Sequence, residues 1–426
     1  MEPLVDYTIH SSKQIMNTNG FRRKSQTLAF ANIFAFGIQA IFALFMLHLF
    51  SPLEIGEFSV ISQISAFWMV VALAQTPWRM LANKSASASQ AAIKSWTGSL
   101  YRALLLYPVI FIALYFCELT FWPSILWASL ITFFQITWLL TQSYTLQSGT
   151  ESQQAMVRTL PPLSALTISV FGAYLRDEFG WNGPTLIVSA IIGYAIGAIW
   201  FIRVFTNGKI KEKIYIEDNL STANADNRSA ILRMLHSFTD ALLITLIAAT
   251  WHRLYGPIET GLMMATLRVL SFLPVLVWSA WTQILITRPA ENSNIKILFF
   301  NINPWSIGAI STACILMIGM TCAFAVNKQI LNTNWQGILP YIIPLSIWQA
   351  TTCFSAAFSH RPFQTQKSTL YSWICISLNI IQTITLITPF AADFPLGKLN
   401  HIYLFCGIAS LSAISLTAWL SKIKSN

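Results

Sequence analysis

The stretch Ser-Pro-Leu-Glu-Ile-Gly-Glu, residues 51–57, separates two long apolar runs near the start of the chain. A similar stretch, Gly-Pro-Ile-Glu-Thr-Gly-Leu, occupies residues 256–262 and again lies between two apolar runs. Three residues recur at the same spacing of 205 positions (257 − 52): Pro52, Glu54 and Gly56 as Pro257, Glu259 and Gly261. This spacing is close to half of the 426 residues, which predicts two similar halves. Duplicated halves are common in transporters, where the substrate site lies between the repeats.

The composition predicts a polytopic membrane protein. Hydrophobic residues make up 55% of the chain and charged residues 10%, and the mean hydropathy is +0.57. A soluble domain carries roughly a quarter charged residues, and it does not expose such an apolar surface to water. Many runs of about 20 residues lack a charge, which is the length needed to cross a bilayer. Lipid offers no hydrogen bonds to peptide groups, so these runs are expected to be helices.

The apolar runs predict an all-α fold of about twelve transmembrane helices in two pseudo-symmetric six-helix bundles. An even number of spans places both termini on one side. Lys and Arg residues are concentrated on that side, 21 against 4 on the other, and the positive-inside rule therefore predicts cytoplasmic termini. The predicted spans are 27–50, 58–78, 98–117, 121–146, 159–175, 183–205, 230–251, 262–287, 298–325, 337–359, 368–390 and 398–420.

This division also predicts the domain boundaries. A polar cytoplasmic segment (1–26) precedes the first bundle (27–205), a cytoplasmic linker (206–229) joins it to the second bundle (230–420), and a short tail (421–426) follows. The first segment is followed by a full-length span, so no cleavable signal peptide is predicted. No Walker-type GxxxxGK[ST] stretch occurs in the chain, which excludes ATP hydrolysis by that route.

Several other function classes lack support in the sequence. The six cysteines lie in or beside apolar spans without a CxxC pair, which favours buried thiols over disulfides or metal ligands. No HExxH or G-x-S-x-G motif occurs, so neither catalytic residues nor a cofactor are predicted. The net charge of +10 is explained by membrane topology and anionic headgroups. A nucleic-acid partner is not predicted, because that would need a folded basic surface.

Two charged residues lie inside predicted spans, Asp240 in the seventh and Arg268 in the eighth. Facing lipid would cost either residue at least roughly 2.5–3.5 kcal/mol, so both are expected to face the interior. The two spans run antiparallel, and the two residues differ in depth by roughly 6 Å at 1.5 Å per residue. One interpretation is a structural ion pair. In the other, Arg268 binds a phosphate in a cavity while Asp240 tunes it or takes a proton.

Four further polar residues have two interpretations each. His236 and Asp240 share one helical face, so His236 is either a proton relay or a side chain at headgroup level. Arg79, which closes the second span, is either a cytoplasmic anchor or a cation that draws a phosphate headgroup inward. Asn32 and Gln39 share a face of the first span and either line a polar cavity or hydrogen-bond between helices.

Tryptophans at the predicted outer ends of the spans are expected to form an interfacial belt, because the indole ring is amphipathic. These residues are Trp122, Trp181, Trp251 and Trp335.

The first hairpin also carries a family resemblance. The stretch from Leu49 to Phe58, followed by an apolar span ending at Arg79, resembles the opening of bacterial polysaccharide-unit flippases of the Wzx type. These belong to the multidrug, oligosaccharidyl-lipid and polysaccharide exporter superfamily. The resemblance is specific over about residues 25–85 and covers the whole chain at the level of architecture. The matched positions are Pro52, Glu54, Gly56 and Arg79, and Arg268 is a candidate cavity cation by position.

The resemblance implies a central cavity between the bundles, in the bacterial inner membrane. It implies alternating-access transport of an undecaprenyl-pyrophosphate-linked oligosaccharide, an O-antigen or capsule repeat unit, from the cytoplasmic to the periplasmic leaflet. The implied partners are this lipid-linked substrate, membrane lipids, a coupling ion (H⁺ or Na⁺), a polysaccharide polymerase and a chain-length regulator.

Two alternative functions remain. An ion-coupled multidrug exporter would prefer acidic cavity residues, of which the chain offers Asp240. An O-antigen polymerase would need a large outer loop, which is not predicted.

Overall fold

The computed structural model describes residues 18–77, 80, 88–180, 183–202, 204, 227–278, 295–297, 300–328, 333–365, 367–391 and 397–423. Nearly all of these residues are helical. The exception besides short connections is an antiparallel hairpin of two three-residue strands, β1 (Ile295–Ile297) and β2 (Phe300–Ile302). The predicted all-α membrane fold is therefore confirmed over the described residues. Arg79 and the predicted linker 206–229 lie outside them.

Two groups of helices follow one another along the chain. The N-terminal helices are α1 (Thr18–Leu49), α2 (Pro52–Leu73), α3 (Ala88–Leu105), α4 (Tyr107–Phe116), α5 (Phe121–Ser148), α6 (Glu151–Phe179) and α7 (Thr185–Ile199). The C-terminal helices are α8 (Asn227–Leu270), α9 (Phe272–Leu276), α10 (Pro304–Asn327), α11 (Leu339–Phe358), α12 (Arg361–Gln364), α13 (Ser368–Ala391) and α14 (Lys398–Ser421), with a 3-10 turn (Thr333–Ile338) before α11.

Every predicted span overlaps one of these helices, or the α3–α4 pair. Within the described ranges, six helices are long and apolar enough to cross a membrane, or seven if the α3–α4 pair is one span. That pair bends by 49°, because Pro108 lacks the N–H that would continue the hydrogen bonding of α3. Large apolar side chains such as Ile112, 66% exposed, cover the outer surface, as expected in lipid. The count of twelve spans stays a prediction.

Each of the two repeated stretches contains the expected break between helices, but the break is shorter than expected. α2 begins at Pro52, so most of residues 51–57 is already helical. In the second copy only Gly256 departs from helical geometry, with φ 85° and ψ 174°, and α8 continues on both sides of it as arms 227–255 and 257–270. Proline explains the early restart, because its fixed φ suits the first turn of a helix and its missing N–H needs no partner there.

Two arginines from the predicted cytoplasmic set bind the ends of neighbouring helices. Arg102 donates from Nε to the carbonyl of Ala72 at 2.6 Å and from Nη2 to the Thr76 hydroxyl at 2.8 Å, next to the end of α2. Arg361 donates from Nη1 to the carbonyl of Ser421 at 2.8 Å, at the end of α14. The last carbonyls of a helix lack partners within the helix, and guanidinium groups satisfy them here.

The described residues include three of the four tryptophans predicted to form the outer belt. Trp122 is 78% exposed at the start of α5, as an interfacial residue should be. The prediction is wrong for Trp251 and Trp335, which are 0% and 1% exposed. Trp251 donates from Nε1 to the Tyr341 hydroxyl at 3.1 Å, so its polar atom bonds inside the protein instead of at a membrane surface. Trp181 lies outside the described residues.

Candidate substrate site

The two repeated stretches pack directly against each other. A β-carbon added to Gly56 would overlap the carbonyl oxygen of Pro257 and lie 3.0 Å from the backbone nitrogen of Gly261. The reverse contact is equivalent, because a β-carbon on Gly261 would overlap the carbonyl oxygen of Pro52 and lie 3.0 Å from the nitrogen of Gly56. Only glycine permits this approach of α2 to the second arm of α8. The contact between the Gly56 and Gly261 segments closes one end of the molecule. This end is called here the glycine end.

The glutamates of the two stretches each accept from a hydroxyl group and pair with a basic residue. Glu54 accepts hydrogen bonds from the backbone N–H and hydroxyl of Ser51, both at 2.8 Å, and pairs with Arg176 at 3.1 Å. Glu259 accepts from the Tyr341 hydroxyl at 2.7 Å and pairs with Lys398 at 2.5 Å. Each glutamate thus ties its turn to a basic residue within its own group of helices.

A third ion pair at the glycine end joins the two groups of helices. Arg253, near the end of the first arm of α8, pairs with Glu118 in the connection after α4. Glu118 has a left-handed backbone conformation, φ 54°, which is uncommon for a residue other than glycine. Together with the glycine contacts, this pair holds the N-terminal and C-terminal helices together at the predicted outer side.

Arg268 lies between the two groups of helices. It belongs to the second arm of α8, yet its contacts are with the N-terminal helices. Its Nη1 donates to the sulfur of Met46 on α1 at 3.4 Å, and its guanidinium lies 5.1 Å from the ring centroid of Phe58 on α2. Tyr194 of α7 is near enough to interact electrostatically. Among the described residues no carboxylate lies within 4.0 Å of it.

Asp240 faces a different neighbour. Its Oδ1 accepts a hydrogen bond from the amide of Asn379 on α13 at 2.5 Å, and its Oδ2 lies 3.3 Å from Nε2 of His236. The same amide donates to the Thr239 hydroxyl at 3.1 Å. The Asp240 side chain is 52% exposed. The ion pair with Arg268 that one interpretation predicted is therefore absent from the described contacts, because the two arms of α8 turn these side chains toward different helices.

The remaining predicted site residues are placed less completely. Gln39 is exposed on α1. Asn32 lies on the same helix, but its side chain is not among the described ones, and Arg79 lies outside the described residues. No group of three or more His, Cys, Asp or Glu side chains that could hold a metal ion occurs in the described part of the chain.

Several contacts of this region were not found by sequence reasoning. Ser51 and Glu54 form a capping box, for which the spacing Ser-x-x-Glu is a recognisable signal. The ion pair of Glu118 with Arg253 has no such signal, because 135 residues separate the partners (253 − 118). Asn379 likewise lies far along the chain from Asp240.

The comparisons place the chain by its fold. No family model and no curated protein matches the sequence. The lipid II flippase MurJ, in an inward closed conformation, aligns with a TM-score of 0.58 and 12% identity, covering 93% of this chain and 87% of MurJ. The MATE multidrug transporter DinF-BH, solved as a complex, aligns with a TM-score of 0.55 and 12% identity, covering 95% and 96%. A mutant of a MATE protein aligns with a TM-score of 0.54 and 12% identity, covering 95% and 97%.

The chain is thus a multi-pass membrane protein with the fold shared by MurJ and MATE transporters. At such low identity the likeness concerns the fold, and one fold serves several functions. Function therefore has to be argued from the site.

Proposed function

We propose that the protein is a flippase that moves an undecaprenyl-pyrophosphate-linked oligosaccharide from the cytoplasmic to the periplasmic leaflet by alternating access. The observation that carries the proposal is Arg268, a cation between the two groups of helices whose described contacts include no carboxylate. The MurJ-like fold supports it, since MurJ is a flippase for another lipid-linked substrate.

The chemistry of a diphosphate headgroup fits this arginine. A guanidinium binds phosphate through two parallel hydrogen bonds. A cation within the membrane is costly unless a counter-charge accompanies it, and an anionic substrate would supply that charge. The lipid tail can stay in the bilayer while the charged, sugar-bearing head crosses between the helices.

The other predicted residues receive supporting roles. Arg79 would attract the headgroup at the cytoplasmic entrance, and Asn32 and Gln39 would hydrogen-bond the sugars. The two groups of helices would act as the two six-helix bundles that move relative to each other. The ion pair of Glu118 with Arg253, which joins the two groups of helices, would break when the periplasmic side opens. The protein would act in the inner membrane without catalysing a covalent step.

One observation favours a second candidate, an ion-coupled multidrug exporter. Asp240 is half exposed and lies beside His236 and Asn379, an arrangement that can take up a proton or hold a cation. Asp240, His236 and Asn379 would also serve as the coupling site of a flippase. The two candidates differ in what Arg268 does, because a cationic drug gains nothing from a cation in the site.

Reconstitution into liposomes tests the proposal directly. A fluorescent undecaprenyl-pyrophosphate-linked oligosaccharide would be followed from one leaflet to the other by its accessibility to a quencher. We expect Arg268→Ala to slow the movement roughly ten- to hundredfold, since losing a hydrogen bond to a charged group costs roughly 1.5–3 kcal/mol. Arg268→Lys should be intermediate, because lysine keeps the charge but not the planar fork. Lys94→Ala, at an exposed position of α3, is the control.

Wild-type rates in both Arg268 variants would contradict the proposal. Uptake of a cationic dye that depends on Asp240 but not on Arg268 would instead support the exporter. In cells, deletion of the gene should abolish a surface polysaccharide and cause lipid-linked single units to accumulate.

A further inference from the structure

Among the described residues, three aromatic pairs connect the N-terminal helices to the C-terminal helices. One of them, Phe116 with Phe390 at 5.9 Å, lies two residues from Glu118 of the glycine end. In the other two, Phe67 of α2 packs on Phe238 of α8 with ring centroids 5.4 Å apart, and Phe272 of α9 packs on Phe36 of α1 at 6.2 Å. Phe67 and Phe272 are 205 positions apart (272 − 67), the spacing of the repeated stretches. Phe67 and Phe272 therefore occupy equivalent places in the two halves of the repeat, whereas their partners are offset by three residues, since Phe36 corresponds to Ala241 (36 + 205).

The position of these pairs relative to Arg268 follows from the same spacing. Arg268 is equivalent to Gln63 (268 − 63 is 205). Phe67 follows Gln63 by four residues, and Phe272 follows Arg268 by four. Four residues make about one helical turn, or about 6 Å, so Phe67 lies about one turn beyond Gln63, and Phe272 lies about one turn beyond Arg268. Both aromatic pairs are thus one turn farther from the glycine end than Arg268 is.

A hydrogen bond extends the contact from the aromatic pairs toward the glycine end. The Thr245 hydroxyl on the first arm of α8 donates to the carbonyl of Gln63 at 3.0 Å. Thr245 follows Phe238 by seven residues, or about two turns on the same face. The first arm of α8 therefore lies antiparallel along α2 from Phe67 to Gln63.

We propose that the pairs Phe67–Phe238 and Phe36–Phe272 form a second closure, between Arg268 and the end predicted to be cytoplasmic. Arg268 is then enclosed between this aromatic closure and the glycine end, and the two pairs separate to admit the substrate. Aromatic contacts suit such a gate, because phenylalanine rings leave no unpaired polar group when they part. The identity of the substrate rests on the proposed function, whereas the closure itself does not.

Thiol labelling tests the closure. Gln63→Cys would be introduced after replacement of the six native cysteines and labelled from the cytoplasmic side with a membrane-impermeant maleimide. We expect Phe67→Ala combined with Phe272→Ala to label at least about fivefold faster, and the milder Phe67→Leu with Phe272→Leu to rise in the same direction. Phe354→Ala is the control, because Phe354 packs on Trp305 at 6.1 Å within the C-terminal helices.

Cross-linking adds a functional readout. A short bifunctional maleimide joining Phe67→Cys to Phe238→Cys should reduce transport more than tenfold, whereas the same reagent joining Trp305→Cys to Phe354→Cys should leave it unchanged. Unchanged labelling of Gln63→Cys in folded leucine variants would overturn the closure. If labelling rises but no lipid-linked oligosaccharide moves in any variant, the closure stands and the proposed function fails.

Discussion

Gly56 packs against the carbonyl oxygen of Pro257 so closely that a single added carbon would overlap it. The repeat that is visible in the sequence is therefore also a contact in the structure, since the two copies close the same end of the molecule. The strength of this closure is open to test at single positions.

Replacing either glycine should separate α2 from α8. Gly56→Ala or Gly261→Ala would force a β-carbon into backbone of the opposite repeat, and such overpacking typically costs about 1–3 kcal/mol. We expect lower thermal stability in detergent together with faster thiol labelling from the periplasmic side. Gly37→Ala is the matched control, because no atom lies within 4 Å of its added β-carbon. Equal behaviour of all three variants would refute a closure at the glycines.

The ion pair of Glu118 with Arg253 should stabilise closure of the glycine end less than the packing of Gly56 and Gly261 does. Both side chains are partly exposed, 70% and 38%, and such pairs are typically worth up to about 1 kcal/mol. Glu118→Arg alone and Arg253→Glu alone should favour opening of the glycine end, and the exchanged pair should restore closure. Spin-label distances across this end would measure the opening. Additive effects without restoration would show that the pair does not hold the two groups together.

Arg102 should stabilise the end of α2. Arg102→Met keeps much of the apolar stem but removes the bonds to the Ala72 carbonyl and the Thr76 hydroxyl. Because hydrogen bonds from charged groups contribute roughly 1.5–3 kcal/mol, the variant should unfold at a clearly lower temperature. Lys94→Ala, on the exposed face of the same helix, should not. A stable Arg102→Met variant would show that water replaces these bonds.

Asp240 should control ion coupling. Asp240→Asn removes the carboxylate that contacts His236 and Asn379, so stimulation of transport by an ion gradient should fall roughly tenfold, which corresponds to about 1.4 kcal/mol. His236→Gln should abolish stimulation by protons but not by Na⁺. Asp177→Asn, at an exposed position on α6, is the control. Full stimulation in Asp240→Asn liposomes would place the coupling site elsewhere.

His360 should make the protein sensitive to acid. Burial, and next the charge of Arg361, lower the pKa of His360 from 6.5 to about 4. His360 is therefore protonated below about pH 6.5 in the unfolded chain, but only below about pH 4 in the folded protein. Because the unfolded state binds more protons between these values, the free energy of unfolding falls as the pH drops from about 6.5 to about 4. The loss should reach about 3 kcal/mol at 1.36 kcal/mol per pKa unit. His360→Gln should flatten the pH dependence of the melting temperature between pH 6.5 and 4; an unchanged slope would contradict the assignment.

The sequence predicted the helices better than their contacts. Hydropathy located a helix at every predicted span, because lipid demands the same run of apolar residues wherever the helix packs. It did not locate the short interruptions. Residues 256–262 were expected to form the whole turn, yet the break between the two helical arms is confined to Gly256, and the second arm begins directly at Pro257.

The sequence singled out two charges inside apolar runs, but it did not predict their contacts. A charge inside an apolar run singled out Asp240 and Arg268, and both do lie at interhelical contacts. Their partners lie far away in the sequence. Asp240 contacts Asn379, and Arg268 contacts Met46 and Phe58. Phe67 and Phe272 keep the spacing of the repeat, but no local pattern indicates what an apolar ring in an apolar helix touches.

By itself, the sequence determined that this is a helical membrane protein, because hydropathy is a property of the chain order, and the repeat predicted two related halves. Tertiary structure alone decided that the two copies of the repeat meet, that Arg268 faces the opposite group of helices, and that Asp240 does not reach it. The physical reason is that membrane helices are apolar on all sides. Which face turns inward is then decided by packing between distant helices, where small residues such as Gly56 and Gly261 permit close approach.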